Sequence, residues 1–373
     1  MKILKKIKGF FRNCFPVVPR IFFALGLISA VLYIMFIYNT SFADFFNDTV
    51  SRYLRIAFAK VTSVLPFSLA EAIIFTIPVT AFLFLRCIFR HMDSHPHGFG
   101  RSVVSLLSVV ALLFSVFTFN VAAGYRTTTL DVKLGYVTGE VSVEDLKETA
   151  EYTVERLNAL ADSIAFTPGG SVRSYTHSET VSKITESYDK LSEKYSFITS
   201  FKAPVKRLAI SPLMTYTHVS GIYTFFTGEA NLNTNYPEYV NVFTIAHEMA
   251  HQRGIARENE ANFIAYLICT ESDDVYMQYS GYLNMFEYLD EALYKVLSVE
   301  ERNKLYEKLD PRIYNDIVSY IKFFEKYSDS TASHVTGTVN NIYLQSQGTP
   351  GLQSYGMVVD LAVEHYKAMR SEP

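Results

Sequence analysis

Three long apolar runs occupy most of the first third of the chain. Residues 21–38 and 102–125 contain no charged side chain, and residues 67–85 carry only Glu71. Each run is about long enough for a helix to cross roughly 30 Å of hydrocarbon. We therefore predict three membrane-spanning helices, in preference to three buried helices of a soluble domain.

Beyond the third run the pattern becomes that of a folded domain with mixed elements. "SVEDLKETAEYTVERLNALADSI" has helical spacing behind a capping-box pattern of Ser142 with Asp145, and "SETVSKITESYDKLSEKY" has helical spacing as well. "FTPGGSVRS" between them predicts a loop. "VKRLAI" and "VSGIYTFFTG" are rich in β-branched and aromatic residues, which is typical of short strands.

The middle of this domain predicts two consecutive helices. "YVNVFTIAHEMAHQR" is helical in pattern with Gly254 as its stop, and a second helix begins near Arg257 and runs to about Tyr279. The rest of the chain is almost entirely helical in pattern. We predict an α+β, mostly α, domain over residues 126–373, preceded by a transmembrane region over residues 1–125.

Basic residues around the apolar runs predict how the chain is oriented. Loops rich in lysine and arginine stay in the cytoplasm, which puts the N-terminus inside and residues 39–66 and 126–373 outside. A cleaved signal peptide ending near Ser41-Phe42-Ala43 is the alternative, but the first run exceeds the usual length of such peptides. The basic residues before the first run and around the second connection are Lys2, Lys5, Lys6, Lys8, Arg12, Arg20, Arg86, Arg90 and Arg101.

Net charge and cysteine content exclude two further classes. A net charge of -3 over 373 residues gives no support for a nucleic-acid partner. Cys14 and Cys87 fall on the cytoplasmic side, so Cys269 is the one cysteine of the outer domain and no internal disulfide can form there. Cys269 sits in an apolar helix pattern, and we expect it to pack in the core.

The sequence His247-Glu248-Met249-Ala250-His251 carries the clearest chemistry. Histidines four apart share one face of a helix, and their imidazole nitrogens can bind one Zn²⁺. Glu248 can reach a water at such a site as a general base. A helix with two hydrogen-bonded histidines is the structural alternative, but the apolar flank favours a metal site.

The segment after this motif resembles the thermolysin-like gluzincins, in which a glutamate on a second helix is the third ligand. "ENEAN", residues 258–262, matches their pattern. The resemblance implies that Glu258 binds the metal, and that Asn262 accepts a hydrogen bond from the free N–H of a ligand histidine. Glu260 is the alternative ligand, although it points about 200° away from Glu258 on a helix. Arg257 excludes the metzincin scheme, because arginine stays protonated and cannot replace that family's third histidine.

A wider resemblance covers most of residues 211–362. The blocks "SGIYTFFTGEANLN", "FTIAHEMAHQRGIARENEANFIAYL" and "IYLQSQGTPGLQSYGMVVDL" are similar to a family of uncharacterised bacterial membrane proteins. That family is a domain of unknown function with an N-terminal membrane anchor and a C-terminal domain that carries a predicted gluzincin-like zinc-peptidase core. The resemblance implies this fold and a zinc cofactor, and it implies no particular substrate.

Four further residues are candidates for supporting roles. In gluzincin-like enzymes an edge strand before the metal helix binds the substrate, and "TFFTGEANLN" is placed to supply it. Glu229 within it is a candidate for binding a substrate amine, or a structural carboxylate. Tyr355 is the first candidate for stabilising the oxyanion, with His334 and Tyr343 as alternatives.

Two features of the membrane region have open interpretations. Glu71 is either a functional acid within the membrane or a hydrated group near the outer interface. "SRYLRIAFAKVTSVLP", residues 51–66, is amphipathic, and we expect it to lie on the membrane surface or to dock on the outer domain.

These observations lead to one main functional hypothesis and two alternatives. The main one is a zinc metallopeptidase anchored in the cell membrane that hydrolyses peptide or protein substrates outside the cytoplasm. The first alternative is a metal-binding envelope sensor or scaffold without turnover, which would not need Glu248. The second is an intramembrane protease, which the long separation between the motif and the last apolar run disfavours.

Overall fold

The structure is a computed structural model that describes residues 16–94, 98–136, 139, 141–328 and 330–371. The predicted orientation signal before the first span and the predicted cytoplasmic cysteine therefore lie partly outside the described residues. The residues concerned are Lys2, Lys5, Lys6, Lys8, Arg12 and Cys14.

Three described helices are long and apolar enough to cross a membrane. They are α1 (Val17–Tyr38), α4 (Leu69–Ser94) and α5 (Gly98–Asn120), and their most apolar windows have mean hydropathies of 2.4, 2.2 and 2.4. The three predicted apolar helices are thus confirmed, and they support association with a membrane. Helices α1 and α5 pack closely, since a Cβ added to Gly26 would lie 3.1 Å from the Ala111 Cβ.

The third apolar helix ends earlier than the sequence predicts. Helix α5 stops at Asn120, and residues Ala122–Tyr125 form a 3-10 turn instead of continuing the span. The Asn120 amide donates to the Phe225 carbonyl, and its Oδ1 accepts a hydrogen bond from the Tyr223 hydroxyl at 3.2 Å. The end of this helix is therefore fixed to the following domain.

The segment between the first two apolar helices docks on that domain. It contains α2 (Thr40–Phe46), a π-helix (Asn47–Ser51) and α3 (Arg52–Ser63). The Arg55 guanidinium, 2% exposed, donates to the carbonyls of Asn47 and Asn120. On the domain side, the Lys206 ammonium donates to the carbonyls of Thr62 and Leu65. The docking alternative is therefore observed, while the opposite face of α3 exposes Tyr53 and Val61.

The remaining chain forms a mostly helical α+β domain, as predicted. Three short strands, β3 (Val205–Arg207), β4 (Gly221–Thr224) and β5 (Glu229–Leu232), make one sheet, and β1 (Ala165–Thr167) with β2 (Gly170–Val172) makes a hairpin. The helices are α6 (Leu130–Leu134), α7 (Val143–Ala161), α8 (His177–Lys194), α9 (Ser211–Met214), α10 (Glu238–Gln252), α11 (Glu258–Thr270), α12 (Val275–Tyr294), α13 (Val299–Glu307), α14 (Pro311–Glu325), α15 (Thr331–Ser346) and α16 (Val358–Ser371).

The sheet order corrects the prediction for the edge strand. The order is β3-β5-β4, with β5 parallel to β3 and antiparallel to β4. The predicted edge strand "TFFTGEANLN", residues 224–233, contains the last residue of β4, a turn and β5, and β5 is the central strand, hydrogen-bonded on both sides. Strand β4 is an edge of this sheet among the described residues, and its Ile222 pairs with Asn231 of β5.

Two predicted elements also differ from the structure. "FTPGGSVRS" contains the β1–β2 hairpin rather than a loop alone, and Gly170 supplies its turn with a φ of 118°. The helix predicted from near Arg257 to about Tyr279 is divided into α11 and α12. It breaks because the Asp274 side chain accepts a hydrogen bond from the Met277 N–H and so caps a new helix.

The core of the domain is built around α10. The sheet covers one side of this helix, and α11 and α12 pack on the others. Ile245, Ala246 and Met249 on α10 are fully buried, as are Phe263 on α11 and Leu283 on α12. A helix that is apolar on nearly all sides is stable only when it is enclosed in this way. Helix α10 is therefore a fixed support for the polar residues that it carries.

Candidate metal centre

A tight turn between α10 and α11 brings distant parts of the motif together. Gly254 has a φ of +101°, a conformation that side chains disfavour. A Cβ at this position would also lie 2.7 Å from the Arg55 Cζ. The N–H groups of Gly254 and Ile255 bond back to His251 and Ala250, which closes the turn. Because the reversal is this short, α11 returns directly beside the histidine face.

Two histidines and one glutamate converge at this point. The Nε2 atoms of His247 and His251 lie 3.3 Å and 3.4 Å from the Glu258 Oε2. Ligand atoms bonded to a tetrahedral zinc at 2.0–2.1 Å are separated by about 3.3 Å, so this donor set fits zinc. In the part of the chain that the structure describes, it is the one group of three such side chains with metal-binding geometry. The side chains are only 11–13% exposed, so most of each ligand is shielded from water.

The second ring nitrogens of the histidines have different surroundings. The His251 Nδ1 lies 2.8 Å from the Ile255 carbonyl, which orients the ring and leaves Nε2 as the donor atom of the neutral form. Thus Ile255, and not Asn262, contacts this ring. The His247 Nδ1 is buried and has no hydrogen-bond partner among the described residues, and neither has the Asn262 amide nitrogen. The predicted role of Asn262 stays a prediction.

His251 and Glu258 strongly shift each other's pKa values. Burial opposes protonation of His251, but the Glu258 carboxylate outweighs burial and raises the His251 pKa to about 9. Burial would raise the pKa of Glu258, yet the two histidines hold this pKa well below its usual range. Glu258 is therefore a carboxylate at any neutral pH, as a metal ligand must be.

Glu248 lies beside this group with one oxygen unused. Its side chain is buried, and its Oε2 has no hydrogen-bond partner in the described residues. Burial raises the pKa of Glu248, while the positive charge available on His247 and His251 opposes the rise. A Cβ at Gly221 would lie 2.7 Å from the Glu248 Cγ and Oε1, so the backbone of β4 passes directly against this carboxylate.

The alternative ligand Glu260 is turned away from the histidines. Its Oε1 accepts hydrogen bonds from the Leu130 N–H at 3.0 Å and from the Arg257 Nη1 at 2.8 Å. The Arg257 Nη2 in turn donates to the carbonyls of Tyr125 and Thr127. Glu260 therefore joins α11 to the segment that leaves the third apolar helix.

Three tyrosines, Tyr125, Tyr343 and Tyr355, lie within electrostatic reach of the Glu258 carboxylate. The Tyr355 hydroxyl accepts a hydrogen bond from the Asn340 amide at 3.3 Å, and the Tyr125 hydroxyl donates to Tyr343 at 3.2 Å. Burial raises the pKa of Tyr355 first, and the negative charges of Glu258 and Glu248 raise it further. Tyr355 is therefore a neutral O–H donor within electrostatic reach of both carboxylates. His334 lies exposed near the start of α15.

Glu229 and Glu71 have structural partners. Glu229 is 1% exposed, and its two oxygens accept hydrogen bonds from the N–H groups of Leu69 and Ala70 at the start of α4. Both oxygens face this helix terminus, so the structure supports the structural alternative over a site for a substrate amine. Glu71 accepts from the N–H groups of Ala209 and Ile210 in the domain, so it too holds the two parts together.

Three contributors to the site escaped the sequence reasoning. Gly221 permits the contact between β4 and Glu248, the Ile255 carbonyl orients His251, and Tyr125 bonds the Tyr343 hydroxyl. Gly221 stands in a strand pattern, where an isolated glycine signals a close backbone approach, so this signal was present. A backbone carbonyl and a tyrosine at the end of an apolar run give no local signal.

Comparison with known proteins is informative at the level of the family. No curated protein and no solved structure matches the chain. The family described as "Protein of unknown function (DUF3810)" matches residues 42–363, which include the second and third apolar helices and the three converging side chains His247, His251 and Glu258. The chain therefore belongs to this family of unknown function.

Proposed function

We propose that the protein is a membrane-anchored zinc metallopeptidase with a gluzincin-like site. The observation that carries the proposal is the convergence of the His247 Nε2, His251 Nε2 and Glu258 Oε2, with the unpaired oxygen of Glu248 beside them. Three protein ligands with a neighbouring glutamate are the arrangement of catalytic zinc sites, whereas structural zinc sites are usually closed by four protein ligands.

The side chains around this group have complementary roles in hydrolysis. Zinc held by the three ligands would supply a Lewis acid that polarises a peptide carbonyl and acidifies water. Glu248, whose pKa burial raises, takes a proton from the attacking water and delivers it to the leaving amine. The neutral Tyr355 hydroxyl donates a hydrogen bond to the oxyanion as it forms.

The sheet edge provides a binding surface for an extended peptide. Among the described residues, strand β4 pairs with β5 on one side and with no strand on the other, and its Gly221 lies against Glu248. A substrate segment that adds to this edge would bring its backbone to the general base. The edge strand proposed to bind substrate is therefore β4, and Glu229 has no part in it.

The apolar helices and the basic residues support the location of the reaction. We propose that α1, α4 and α5 cross the cell membrane, that the N-terminus is cytoplasmic, and that residues 126–373 face the outside. The substrate would then be a peptide or protein outside the cytoplasm. Cysteine labelling from either side of sealed cells, at an exposed site such as Glu300, tests this orientation.

Metal analysis combined with one conservative substitution tests the enzymatic proposal. Purified full-length protein should hold about one zinc per chain and should cleave members of a peptide library in a chelator-sensitive way. Glu248→Gln should keep the zinc and lower the rate about 100-fold or more, because the base is lost and the ligands remain. Elemental analysis and mass spectrometry of the products measure both quantities.

A ligand substitution serves as the matched control. His247→Ala should lose both zinc and cleavage. A wild-type protein free of zinc would overturn the metal site and the peptidase together. A zinc-loaded protein whose cellular phenotype survives Glu248→Gln but not His247→Ala would instead identify the metal-binding sensor or scaffold.

A further inference from the structure

Residues 330–359 form the longest part of the domain without a charged side chain, and we name them the uncharged segment. They contain no aspartate, glutamate, lysine or arginine, whereas the charged fraction of the whole chain, 19%, would give about six in thirty residues. The segment comprises α15, a 3-10 helix (Gly351–Met357) and the start of α16. Such a composition is unusual for a surface in contact with water.

The uncharged segment is nevertheless on the surface. Val335, Val339 and Ile342 are 59%, 62% and 62% exposed, and their spacing places them on one face of α15. Leu352 and Met357 in the following turn are also exposed. An exposed apolar face on a segment without charged side chains indicates an interaction site for an apolar partner.

The same segment is in direct contact with two of the apolar helices. The Tyr33 hydroxyl of α1 donates to the Gln347 Oε1 at 3.3 Å, and the rings of Phe117 on α5 and Tyr343 on α15 lie 6.2 Å apart. Tyr33 stands five residues before the end of α1, which is about 7.5 Å along the helix axis. The C-terminal end of α15 therefore lies level with the last turns of the apolar helices, beside the surface that they expose.

We propose that the uncharged segment is a fourth membrane contact, in which the exposed face of α15 enters the same bilayer that holds the apolar helices. The partner that covers this face is the boundary between the headgroups and the acyl chains of the bilayer lipids. The absence of charge means that this contact requires no anionic headgroup, unlike a basic amphipathic helix. Because Tyr343 and Tyr355 belong to the segment, the contact also sets the metal centre at the membrane surface.

Spin labelling of the full-length chain in phosphatidylcholine nanodiscs tests this contact. A nitroxide is attached through Val339→Cys in a background with Cys14 and Cys87 replaced by serine, since Cys269 is buried. Val299→Cys is the matched control, because Val299 is equally exposed, at 65%, on the charged helix α13. Leu107→Cys on α5 gives the value for a lipid-facing site.

The expected result is a ratio of oxygen to nickel-chelate accessibility at position 339 that is several-fold above the ratio at position 299 and close to that at position 107. The ratio should be unchanged at high salt. Equal ratios at positions 339 and 299 would overturn the proposal. Low accessibility to both reagents with spin–spin broadening would also overturn it, since a second copy of the chain would then cover the face. Thermal unfolding of each labelled variant verifies that the fold is intact.

Discussion

Glu258 and Glu260 stand two positions apart in the sequence and have different partners. Glu258 meets both histidines, while Glu260 bonds Arg257 and the Leu130 N–H. We predict that Glu258→Gln weakens zinc binding by about 100-fold or more, since the metal loses its anionic ligand. Chelator competition on the purified protein measures the affinity.

Glu260→Gln is the matched control for this substitution. It should leave the zinc affinity within a few-fold of the wild type and lower the thermal stability, because Arg257 loses a buried charge partner. If Glu260→Gln instead releases the metal while Glu258→Gln retains it, the assignment of the third ligand is wrong.

The perturbed pKa of His251 predicts how zinc affinity depends on pH. In the metal-free protein His251 holds a proton up to a pH of about 9, and this proton must leave before Nε2 can bind zinc. Affinity should therefore rise about tenfold per pH unit below pH 9 and level off above it. Calorimetry in buffers of different ionisation enthalpy should detect about one proton released per zinc at pH 7, and no release would contradict the prediction.

The stability of the metal-free fold depends on pH in the opposite direction: it falls as the pH rises, whereas the zinc affinity increases. The His251 pKa is raised from 6.5 to about 9, so the stabilisation by the charged His251 beside Glu258 is complete below pH 6.5. It is lost as the pH rises through about 9. Zinc should therefore stabilise the fold most at alkaline pH, where the charged pair no longer does so.

Tyr355 is expected to act in the transition state rather than in ground-state binding. Tyr355→Phe should lower kcat by roughly 10- to 1000-fold with little change in KM, because the hydroxyl donor is lost while the ring remains. Tyr343→Phe is the control, because only the charge of Glu258 acts strongly on Tyr343, whereas the charges of both Glu258 and Glu248 act on Tyr355. A greater loss of kcat from the control than from Tyr355→Phe would transfer the role to Tyr343.

At the scale of elements, the turn at Gly254 connects the candidate metal centre to the segment between the first two apolar helices, since it lies against Arg55 and Asn47. We predict that Gly254→Ala destabilises the protein by more than about 3 kcal/mol, because it adds backbone strain and displaces the buried Arg55 guanidinium. Gly135→Ala is the control: Gly135 also has a positive φ, of 75°, but has open space around it. It should cost only about 1–2 kcal/mol. Thermal unfolding in detergent measures both, and equal costs would show that the contact with Arg55 is unimportant.

The sequence predicted an element well where the signal comes from residues that are close together in the chain. The capping residue Ser142, the stop at Gly254 and the shared face of His247 and His251 are local features, and each is in the structure. The position of β5 in the sheet was not predicted, because pairing depends on Val205, which is distant in the chain. The role of Glu229 was also hidden, because its partners lie 159 and 160 residues earlier.

At the scale of the whole molecule, the apolar helices and the α+β domain are joined by reciprocal hydrogen bonds, in which a carboxylate of each part accepts from the backbone of the other. Glu229 of the domain bonds the start of α4, and Glu71 of α4 bonds the Ala209–Ile210 backbone. The predicted division at residue 125 thus separates two parts that share buried polar contacts. We predict that Glu229→Gln lowers stability by about 1–2 kcal/mol, since a carboxylate at a helix N-terminus is replaced by a neutral amide.

Glu300→Gln is the control for this prediction, because Glu300 occupies the first turn of α13 but is exposed. Its effect on the unfolding temperature should be close to zero. An effect of Glu229→Gln that is no greater than that of Glu300→Gln would show that these hydrogen bonds contribute little to holding the two parts together.

The distance in sequence between Glu229 and its partners also sets an order of events during biosynthesis. Leu69 leaves the ribosome 160 residues before Glu229, which at about 5–20 residues per second is roughly 8–30 s earlier. The N–H groups at the start of α4 therefore lack their Glu229 partner until the later domain has been synthesised. The three apolar helices are thus synthesised first, and the domain that carries the candidate metal centre completes its fold upon them.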